Sequence, residues 1–101
     1  MGSWIEFTCE KCGYRAEVSG GKDCGMVAVV ETMICQSCRQ LVDVLIGQCG
    51  REGPSGDPDY DKDLGICPEC RGKDVSVWKE PKRCPKCDGR MVEGRPTALW
   101  D

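Results

Sequence analysis

The fold is decided by the stretch Cys9-Glu10-Lys11-Cys12 and by three further copies of its spacing: Cys35-Gln36-Ser37-Cys38, Cys67-Pro68-Glu69-Cys70 and Cys84-Pro85-Lys86-Cys87. We call these four segments the first, second, third and fourth knuckles. Zn–S bonds of about 2.3 Å place neighbouring sulfurs of a tetrahedral site about 3.8 Å apart, a distance that two intervening turn residues can deliver. Each knuckle supplies half of a tetrahedron. The four knuckles therefore predict two closed four-cysteine zinc sites.

The composition also points to a protein that needs cross-links. The chain has 101 residues, of which 40% are hydrophobic when its ten cysteines are counted. Without the cysteines only about 30 hydrophobic residues remain, which is a thin core for so short a chain. No run approaches the roughly 20 apolar residues of a membrane span, and no apolar signal region precedes Glu6. We therefore expect a cytoplasmic, metal-stabilised protein with no membrane partner.

Disulfides and iron are the alternatives to zinc. A secreted disulfide scaffold can carry this much cysteine, but a bridge within Cys-x-x-Cys closes a very small loop and tends to be redox-active. The chain has no histidine, and four thiolates leave zinc no open position at which to activate water. We therefore expect two structural Zn²⁺ ions, no catalytic residues and no enzymatic activity.

The sequence indicates less directly which two knuckles bind the same metal ion. Sequential pairing places Cys9, Cys12, Cys35 and Cys38 in one site and Cys67, Cys70, Cys84 and Cys87 in the other, with 22 and 13 residues between the paired knuckles. In a cross-braced arrangement the first knuckle shares a metal with the third and the second with the fourth. It needs loops of 54 and 45 residues, which costs only about 1 kcal/mol more in loop-closure free energy per site. The turn-rich residues 50–59 favour sequential pairing because they resemble a linker.

This pairing predicts a first zinc ribbon over residues 1–49, a Gly/Pro/Asp-rich linker over 50–64, and a second ribbon with a C-terminal tail over 65–101. The tail, residues 95–101, either folds back over a ribbon or forms an exposed docking peptide. β-Branched residues predict strands near residues 5–8, 14–18, 27–34, 40–46, 75–78 and 91–92, and no helical periodicity is present.

Cys24 and Cys49 lie outside the knuckles. An antiparallel hairpin of residues 27–34 and 40–46 would place Val29 opposite Val44 and, further along the same register, Cys24 opposite Cys49. Directly opposed residues are close enough at Cα for a disulfide. The two cysteines are therefore a candidate disulfide or redox pair, although two free thiols or additional metal ligands are also consistent with the sequence.

The knuckles and their flanks resemble the zinc-ribbon superfamily, and specifically tandem zinc ribbons. The resemblance is carried by residues 7–14, 65–70 and 84–91, and it covers about residues 4–49 and 64–94. It implies a small, metal-stabilised, mainly β fold in which rubredoxin-like knuckles clamp short antiparallel hairpins. The first knuckle, followed by Gly13-Tyr14, also resembles the iron site of rubredoxins, but Arg39 follows the second knuckle where rubredoxins have glycine.

Charge bears on the choice of partner. The formal net charge of −3 becomes about −7 once eight thiolates and two zinc ions are counted. We therefore expect a protein-interaction adaptor or accessory subunit that binds another protein. The alternative is a transcription or translation accessory protein that binds nucleic acid through the basic face of residues 79–95, with Trp78 as a stacking surface. Its candidate contacts are Trp78, Lys79, Lys82, Arg83, Lys86 and Arg90, which are also consistent with a solvated rim around a buried tryptophan.

Overall fold

The computed structural model describes residues 2–79 and 82–100. These residues form a small, mainly β protein, which confirms the predicted fold class. The strands are β1 (Gly2–Cys9), β2 (Arg15–Val18), β3 (Lys22–Cys24), β4 (Ala28–Cys35), β5 (Gln40–Gln48), β6 (Arg51–Glu52), β7 (Val75–Val77) and β8 (Met91–Trp100), with a single helical turn, α1 (Pro58–Asp61). No helix within the described residues is long and apolar enough to cross a membrane.

The first sheet, sheet A, joins the two ends of the chain. Its strand order is β2-β1-β8, and both pairings are antiparallel. Strand β8 runs along β1 from the Cys9–Met91 pair to the Gly2–Trp100 pair. Of the two alternatives for the C-terminal tail, residues 95–100 have the one in which the tail folds back, and Asp101 lies outside the described residues. Because β1 leads into the first knuckle and β8 leaves the fourth, this pairing also brings those two knuckles together.

The second sheet, sheet B, has the order β3-β4-β5-β6, and β7 pairs with the end of β4. The β4–β7 pairing includes Cys35 opposite Val75, so residues that follow the third knuckle lie beside the second. Together with the β1–β8 pairing, this shows that the predicted division into separate ribbons over 1–49 and 65–101 is wrong. Strands from the second half of the chain pair with strands from the first half in both sheets.

The predicted linker, residues 50–64, is part of the packed structure. It contains β6 and α1, and the Tyr60 hydroxyl donates a hydrogen bond of 2.7 Å to the Gly47 carbonyl. Just beyond it, the Gly65 N–H donates to the Leu45 carbonyl at 2.9 Å. Glycine, proline and aspartate correctly indicate turns in this segment, but local turn propensity does not report which tertiary contacts the turns make.

The β4–β5 hairpin forms with a different register from the predicted one. Val44 lies opposite Glu31 rather than Val29, and Val29 lies opposite Gly47. The hairpin closes at the Cys35–Gln40 pair because Arg39 has a left-handed backbone (φ 54°) and belongs to the turn. The shift is by two residues over residues 30–35 and by three residues at Ala28 and Val29, beyond an irregularity between Val29 and Val30, so the predicted face of the sheet is kept only over residues 30–35.

Two small hydrophobic clusters include the buried cysteines. One contains Phe7, Val18, Leu41, Trp78 and Met91 together with Cys9 and Cys84, and the other contains Val42 and Val44 with Cys35 and Cys67. Trp78 is only 4% exposed, its ring meets that of Phe7 edge-to-face at 5.0 Å, and its indole N–H donates to the Arg83 carbonyl at 2.9 Å. The apolar core is thus built around the knuckles.

A polar network holds the turn after β2 against sheet B. Thr32, which is fully buried, donates from its hydroxyl to Asp43 across the β4–β5 pair at 2.6 Å and accepts from the Gly20 N–H at 2.9 Å. The Ser19 N–H and hydroxyl also donate to the Asp43 carboxylate. Every donor in this buried network is paired, as polar groups removed from water require.

Candidate metal centres

The structure brings the eight knuckle sulfurs together in two groups of four. Site A contains Cys9, Cys12, Cys84 and Cys87, and site B contains Cys35, Cys38, Cys67 and Cys70. Within each site the four sulfurs all lie within 4.8 Å of one another. The Cys9–Cys87 and Cys12–Cys84 sulfur distances are 3.4 and 3.6 Å in site A, and the Cys35–Cys70 and Cys38–Cys67 distances are 3.6 and 3.7 Å in site B.

These distances fit tetrahedral thiolate coordination. Sulfurs bound to one zinc ion lie about 3.8 Å apart, whereas a disulfide would bring them to about 2.05 Å. Both sites therefore have the donor set and the spacing of a closed four-sulfur metal centre. A tetrahedron of four sulfurs is typical of zinc or iron.

The predicted sequential pairing of the knuckles is wrong. The first knuckle pairs with the fourth and the second with the third, so site B is nested inside the loop that site A closes. The closed loops span 71 and 28 residues, counted between the facing cysteines. Because loop-closure entropy grows only with the logarithm of loop length, strand pairing decides the arrangement instead. The β1–β8 pairing forms site A, and the β4–β7 pairing forms site B.

All four knuckles share one backbone geometry. The residue after the second cysteine has a positive φ, and its N–H donates to the carbonyl of the first cysteine at 2.8–3.1 Å: Gly13 (φ 78°) to Cys9, Arg39 (φ 54°) to Cys35, Arg71 (φ 63°) to Cys67 and Asp88 (φ 63°) to Cys84. Three of these positions carry a non-glycine residue in a conformation that costs about 1–2 kcal/mol. The arginine at position 39, a departure from the rubredoxin pattern, therefore leaves the knuckle geometry unchanged.

Backbone N–H groups point at the first cysteine of some knuckles. Cys9 accepts from the N–H groups of Lys11 and Cys12 at 3.3 and 3.4 Å, and Cys84 accepts from the Lys86 N–H at 3.4 Å. The Cys12 N–H is the main cause that lowers the pKa of Cys9 to about 6. The Cys38 N–H likewise lowers the pKa of Cys35 to about 7. These donors favour the thiolates that a metal needs.

The remaining thiols hold their protons more tightly. The hydrogen bond that Cys38 makes to Cys35 raises the pKa of Cys38 to about 12. At Cys87 the Gly89 N–H lowers the pKa, but the bond to Cys9, burial and the other two sulfurs outweigh it and raise the pKa to about 12. Each metal-free site is thus a mixture of thiolate and thiol, and binding of a metal ion must displace protons.

The first cysteine of each knuckle is buried, whereas the second is more exposed. Cys9, Cys35, Cys67 and Cys84 belong to the core, whereas Cys12 and Cys70 are exposed and Cys38 and Cys87 are partly exposed. A metal ion can therefore reach either site from the side of the second cysteines, while the first cysteines connect the site to the core.

Gly89 is a site residue that the ligand pattern does not reveal. A Cβ at this position would lie 2.8 Å from Lys11 Cβ, 3.1 Å from Cys9 Sγ and 3.2 Å from Cys87 Sγ. No side chain fits between the sulfurs of site A and the first knuckle. The Asp88-Gly89 dipeptide is a turn signal that marks the position in the sequence, but the close approach depends on the fourth knuckle facing the first.

We expect Gly89→Ala to weaken metal binding at site A by about 10- to 100-fold, the usual effect of disturbing groups that support metal ligands. Site B should keep its affinity. Competition with a chromophoric chelator measures both constants. Gly21→Ala is the control, because a Cβ at Gly21 meets nothing within 4 Å. An unchanged affinity at site A in Gly89→Ala would show that the sulfurs are not held at these positions.

Cys24 and Cys49 form a disulfide in the structure, with their Cα atoms 5.9 Å apart. The predicted direct opposition on β4–β5 is wrong, because Cys24 lies on β3 opposite Val29. The two cysteines instead meet beyond the start of β4, where the Gly25 N–H donates to the Ala28 carbonyl and the Cys49 N–H donates to the Val27 carbonyl. The bond therefore joins the end of β3 to the residue that follows β5.

Cys24→Ser should lower the free energy of unfolding by about 3 kcal/mol, because it removes a cross-link that closes a loop of 25 residues. Both metal ions should remain bound. Urea unfolding of the metal-loaded protein measures the loss, and a phosphine reductant should produce the same loss in the wild type but no further loss in the variant. Equal stability of the variant and the oxidised wild type would contradict a disulfide at this position.

The six candidate nucleic-acid contacts do not form one exposed surface. Trp78 is buried, and the Lys82 ammonium donates to the Gly20 carbonyl at 2.6 Å while lying 5.0 Å from the Trp78 ring. Arg83 donates to the Asp88 carbonyl, and the Lys86 ammonium lies 5.2 Å from the Tyr14 ring. Lys79 and Arg90 are exposed. Of the two interpretations of Trp78, a stacking surface or a buried core residue, the structure has the second.

No protein-family model, no curated protein and no solved structure matches this chain. Two four-cysteine groups built from Cys-x-x-Cys knuckles fit a zinc-ribbon-like arrangement. The likeness therefore rests on the spacing of the cysteines and on the geometry of the two sites.

Proposed function

We propose that this chain is a non-catalytic protein-interaction module, acting as an adaptor or accessory subunit, whose fold depends on two structural zinc ions. The observation that carries the proposal is the presence of two groups of four cysteine sulfurs, each within 4.8 Å. Four thiolates complete the tetrahedron of zinc, so neither ion has an open position for a substrate or a water molecule. The metal then contributes to folding rather than to catalysis.

Zinc is proposed over iron on two grounds. Zinc is the usual metal of closed four-cysteine structural sites, and Arg39 replaces the glycine that follows the second knuckle in rubredoxins, a difference in sequence that leaves the knuckle geometry the same. Native mass spectrometry with elemental analysis of protein purified without chelators tests the proposal. We expect two zinc ions per chain and a colourless solution. A coloured protein that contains iron would replace the proposal with electron transfer.

Two features support a protein partner rather than nucleic acid. The net charge of −3 becomes about −7 with two zinc–thiolate sites, which repels phosphates at long range. Trp78 and Lys82 are also engaged within the fold. Affinity purification from the host with metal retained, followed by mass spectrometry, should recover a specific protein that is lost after chelation. A salt-sensitive mobility shift with single-stranded RNA, abolished by Lys79→Ala/Arg90→Ala, would favour nucleic acid instead.

The cytoplasmic location stays a prediction, and the Cys24–Cys49 disulfide makes it testable. Structural disulfides persist mainly in oxidising compartments, whereas cytosolic thiols are kept reduced. Alkylation of thiols in intact host cells, followed by mass spectrometry, distinguishes the two. Alkylated Cys24 and Cys49 would support the cytoplasm, and a protected, bonded pair would indicate an oxidising compartment.

A further inference from the structure

A cleft lies where sheet A meets sheet B and the third knuckle. Its volume is about 340 Å³, and apolar side chains from β2, β4 and β5 line much of it. Trp4 of β1 contributes an aromatic ring, and Pro68 and Glu69 of the third knuckle also border the cleft. The apolar lining is Val18, Val30, Leu41 and Val42.

We propose that this cleft binds an arginine side chain of the partner protein. The inference rests on the proposed function and specifies the chemistry of the partner. An arginine has an apolar stem that suits the valine and leucine lining, and a cationic head that suits the acidic residues around it.

The charge of the cleft carries the argument. Its charged lining residues, within the described part of the chain, are the three carboxylates of Glu17, Asp43 and Glu69. Asp43 already accepts hydrogen bonds from Ser19 and Thr32. The ion pairs among the described residues join Lys22 to Glu52, Arg71 to Asp63, and Arg83 to Asp88. Glu17 and Glu69 take part in none of these pairs, so they are the carboxylates open to an incoming cation.

Strand pairing adds to the negative charge beside the cleft. Glu17 of β2 lies directly opposite Glu6 of β1, and cross-strand partners share a face of the sheet. Like charges in this position destabilise a sheet. A cation bound at Glu17 would relieve that repulsion, so binding and folding would favour each other.

The third knuckle adds further negative charge beside the cleft. Pro68 and Glu69 lie between Cys67 and Cys70, which belong to site B. Four thiolates around one divalent ion carry a net charge of about −2, and this charge lies next to the wall of the cleft. Loss of the metal would therefore weaken the binding of a cation, and it would also release the third knuckle, which forms one wall of the cleft.

Trp4 supplies the contact that distinguishes a guanidinium from other cations. The residue is 37% exposed, so part of it is open to a ligand while the rest packs against the protein. A guanidinium stacks on an indole face, and a cation–π contact adds about 0.5–2 kcal/mol. The combination of an aromatic face, an apolar lining and unpaired carboxylates fits arginine better than a neutral or acidic side chain.

The test uses the full, zinc-loaded chain labelled with ¹⁵N and a nine-residue peptide in which three arginines alternate with glycine and leucine. The matched probe replaces each arginine by citrulline, which keeps the shape and removes the charge. We expect the indole N–H signal of Trp4, assigned with Trp4→Phe, to shift saturably, with binding at least about 10-fold tighter for the arginine peptide. Increasing salt should weaken it, since exposed charges are screened.

Two double variants separate a site from an effect of net charge. Glu17→Gln/Glu69→Gln should weaken binding of the arginine peptide by at least about 5-fold. Glu10→Gln/Glu93→Gln removes the same charge from residues that do not line the cleft, and it should change binding by less than about 2-fold. Equal loss in both variants would overturn the proposal, because it would show nonspecific attraction to an acidic protein.

Other outcomes also overturn the proposal. Equal affinity for the citrulline peptide would mean that the cleft is only apolar, and a Trp4 shift that depends on protein concentration alone would mean that a second copy of this chain occupies it. Zinc content measured on the same sample keeps the two hypotheses apart. A chain without two zinc ions contradicts the proposed function, whereas a folded chain with two zinc ions and no arginine-dependent shift contradicts this inference alone.

Discussion

Removal of both metal ions is expected to unfold the whole chain. Structural zinc contributes about 10–16 kcal/mol of apparent free energy per site, while the net stability of a small domain is only about 5–15 kcal/mol. The first cysteine of every knuckle belongs to a buried cluster, so the core is lost together with the sites. An excess of chelator should abolish the β-sheet circular dichroism signal and shift the combined tryptophan emission to longer wavelength, because Trp78 leaves the core.

The Cys24–Cys49 disulfide provides a control for the chelation experiment. The chelator does not break this bond, so the chain should unfold with the disulfide intact and refold when zinc is added back. A chain that keeps its sheets after complete removal of metal would show that hydrophobic packing alone is sufficient, and it would contradict the structural role given to both sites.

Acid should release the metal ions, and the direction follows from the thiol pKa values. Metal binds thiolates, while the raised pKa values of Cys38 and Cys87, about 12 in each case, mean that these thiols are protonated at neutral pH in the metal-free sites. Binding therefore displaces protons, and the affinity must fall as the pH falls. Chelator competition at pH 7.5 and pH 6.0 should show affinities at least about 10-fold weaker at the lower pH.

The thiols with lowered pKa values limit this effect near neutrality. Cys9, with a pKa of about 6, and Cys35, with a pKa of about 7, are at least partly ionised at pH 7.5 and add a proton cost only as the pH falls through those values. Affinity should therefore decline more steeply below pH 7 than above it. An affinity that is independent of pH over this range would mean that thiolates are not the ligands.

The nested pairing predicts which cysteine substitutions act together. Replacing both cysteines of the first knuckle by serine should leave one metal ion per chain, because site B has its own buried cluster. Replacing the cysteines of the first and fourth knuckles together should also leave one metal ion, since both knuckles belong to site A. Replacing those of the first and second knuckles together should leave no metal ion, since each site then loses two ligands. Native mass spectrometry of the three variants gives the counts.

The same counts distinguish the alternative pairings. Sequential pairing requires one metal ion when the first and second knuckles are replaced and none when the first and fourth are replaced. A cross-braced pairing, of the first knuckle with the third and the second with the fourth, would leave no metal ion in either of these two variants. Loss of both ions from the first-knuckle variant alone would contradict the independence of the site B cluster.

The cysteine spacing predicted the local features of the sites but not their pairing. Two turn residues between cysteines fix the distance between two sulfurs, so the four half-sites could be recognised without the fold. Which half-sites meet depends on β8 pairing with β1 and on β7 pairing with β4. Loop entropy differs too little between the arrangements to choose among them.

Strand predictions succeeded where the residues alone favour a strand. The β-branched runs at 27–34 and 40–46 correspond to β4 and β5, whereas the prediction at 91–92 covers only the start of β8. The rest of β8 contains Gly94 and Pro96, which weaken any strand signal, and it is extended because β1 pairs with it. Similarly, Arg39 has a left-handed conformation that a glycine would have indicated and an arginine does not. The end of the turn, and with it the hairpin register, could therefore not be predicted from the sequence.

The central claim is that two ions, each held by four cysteines from knuckles far apart in the sequence, build this fold. Correlation of ¹¹³Cd with cysteine β-protons in the cadmium-loaded native chain tests it most directly. We predict two cadmium signals, one coupled to Cys9, Cys12, Cys84 and Cys87 and the other to Cys35, Cys38, Cys67 and Cys70. A folded chain whose knuckle cysteines show no cadmium coupling, or one whose two signals divide these residues differently, would contradict the account.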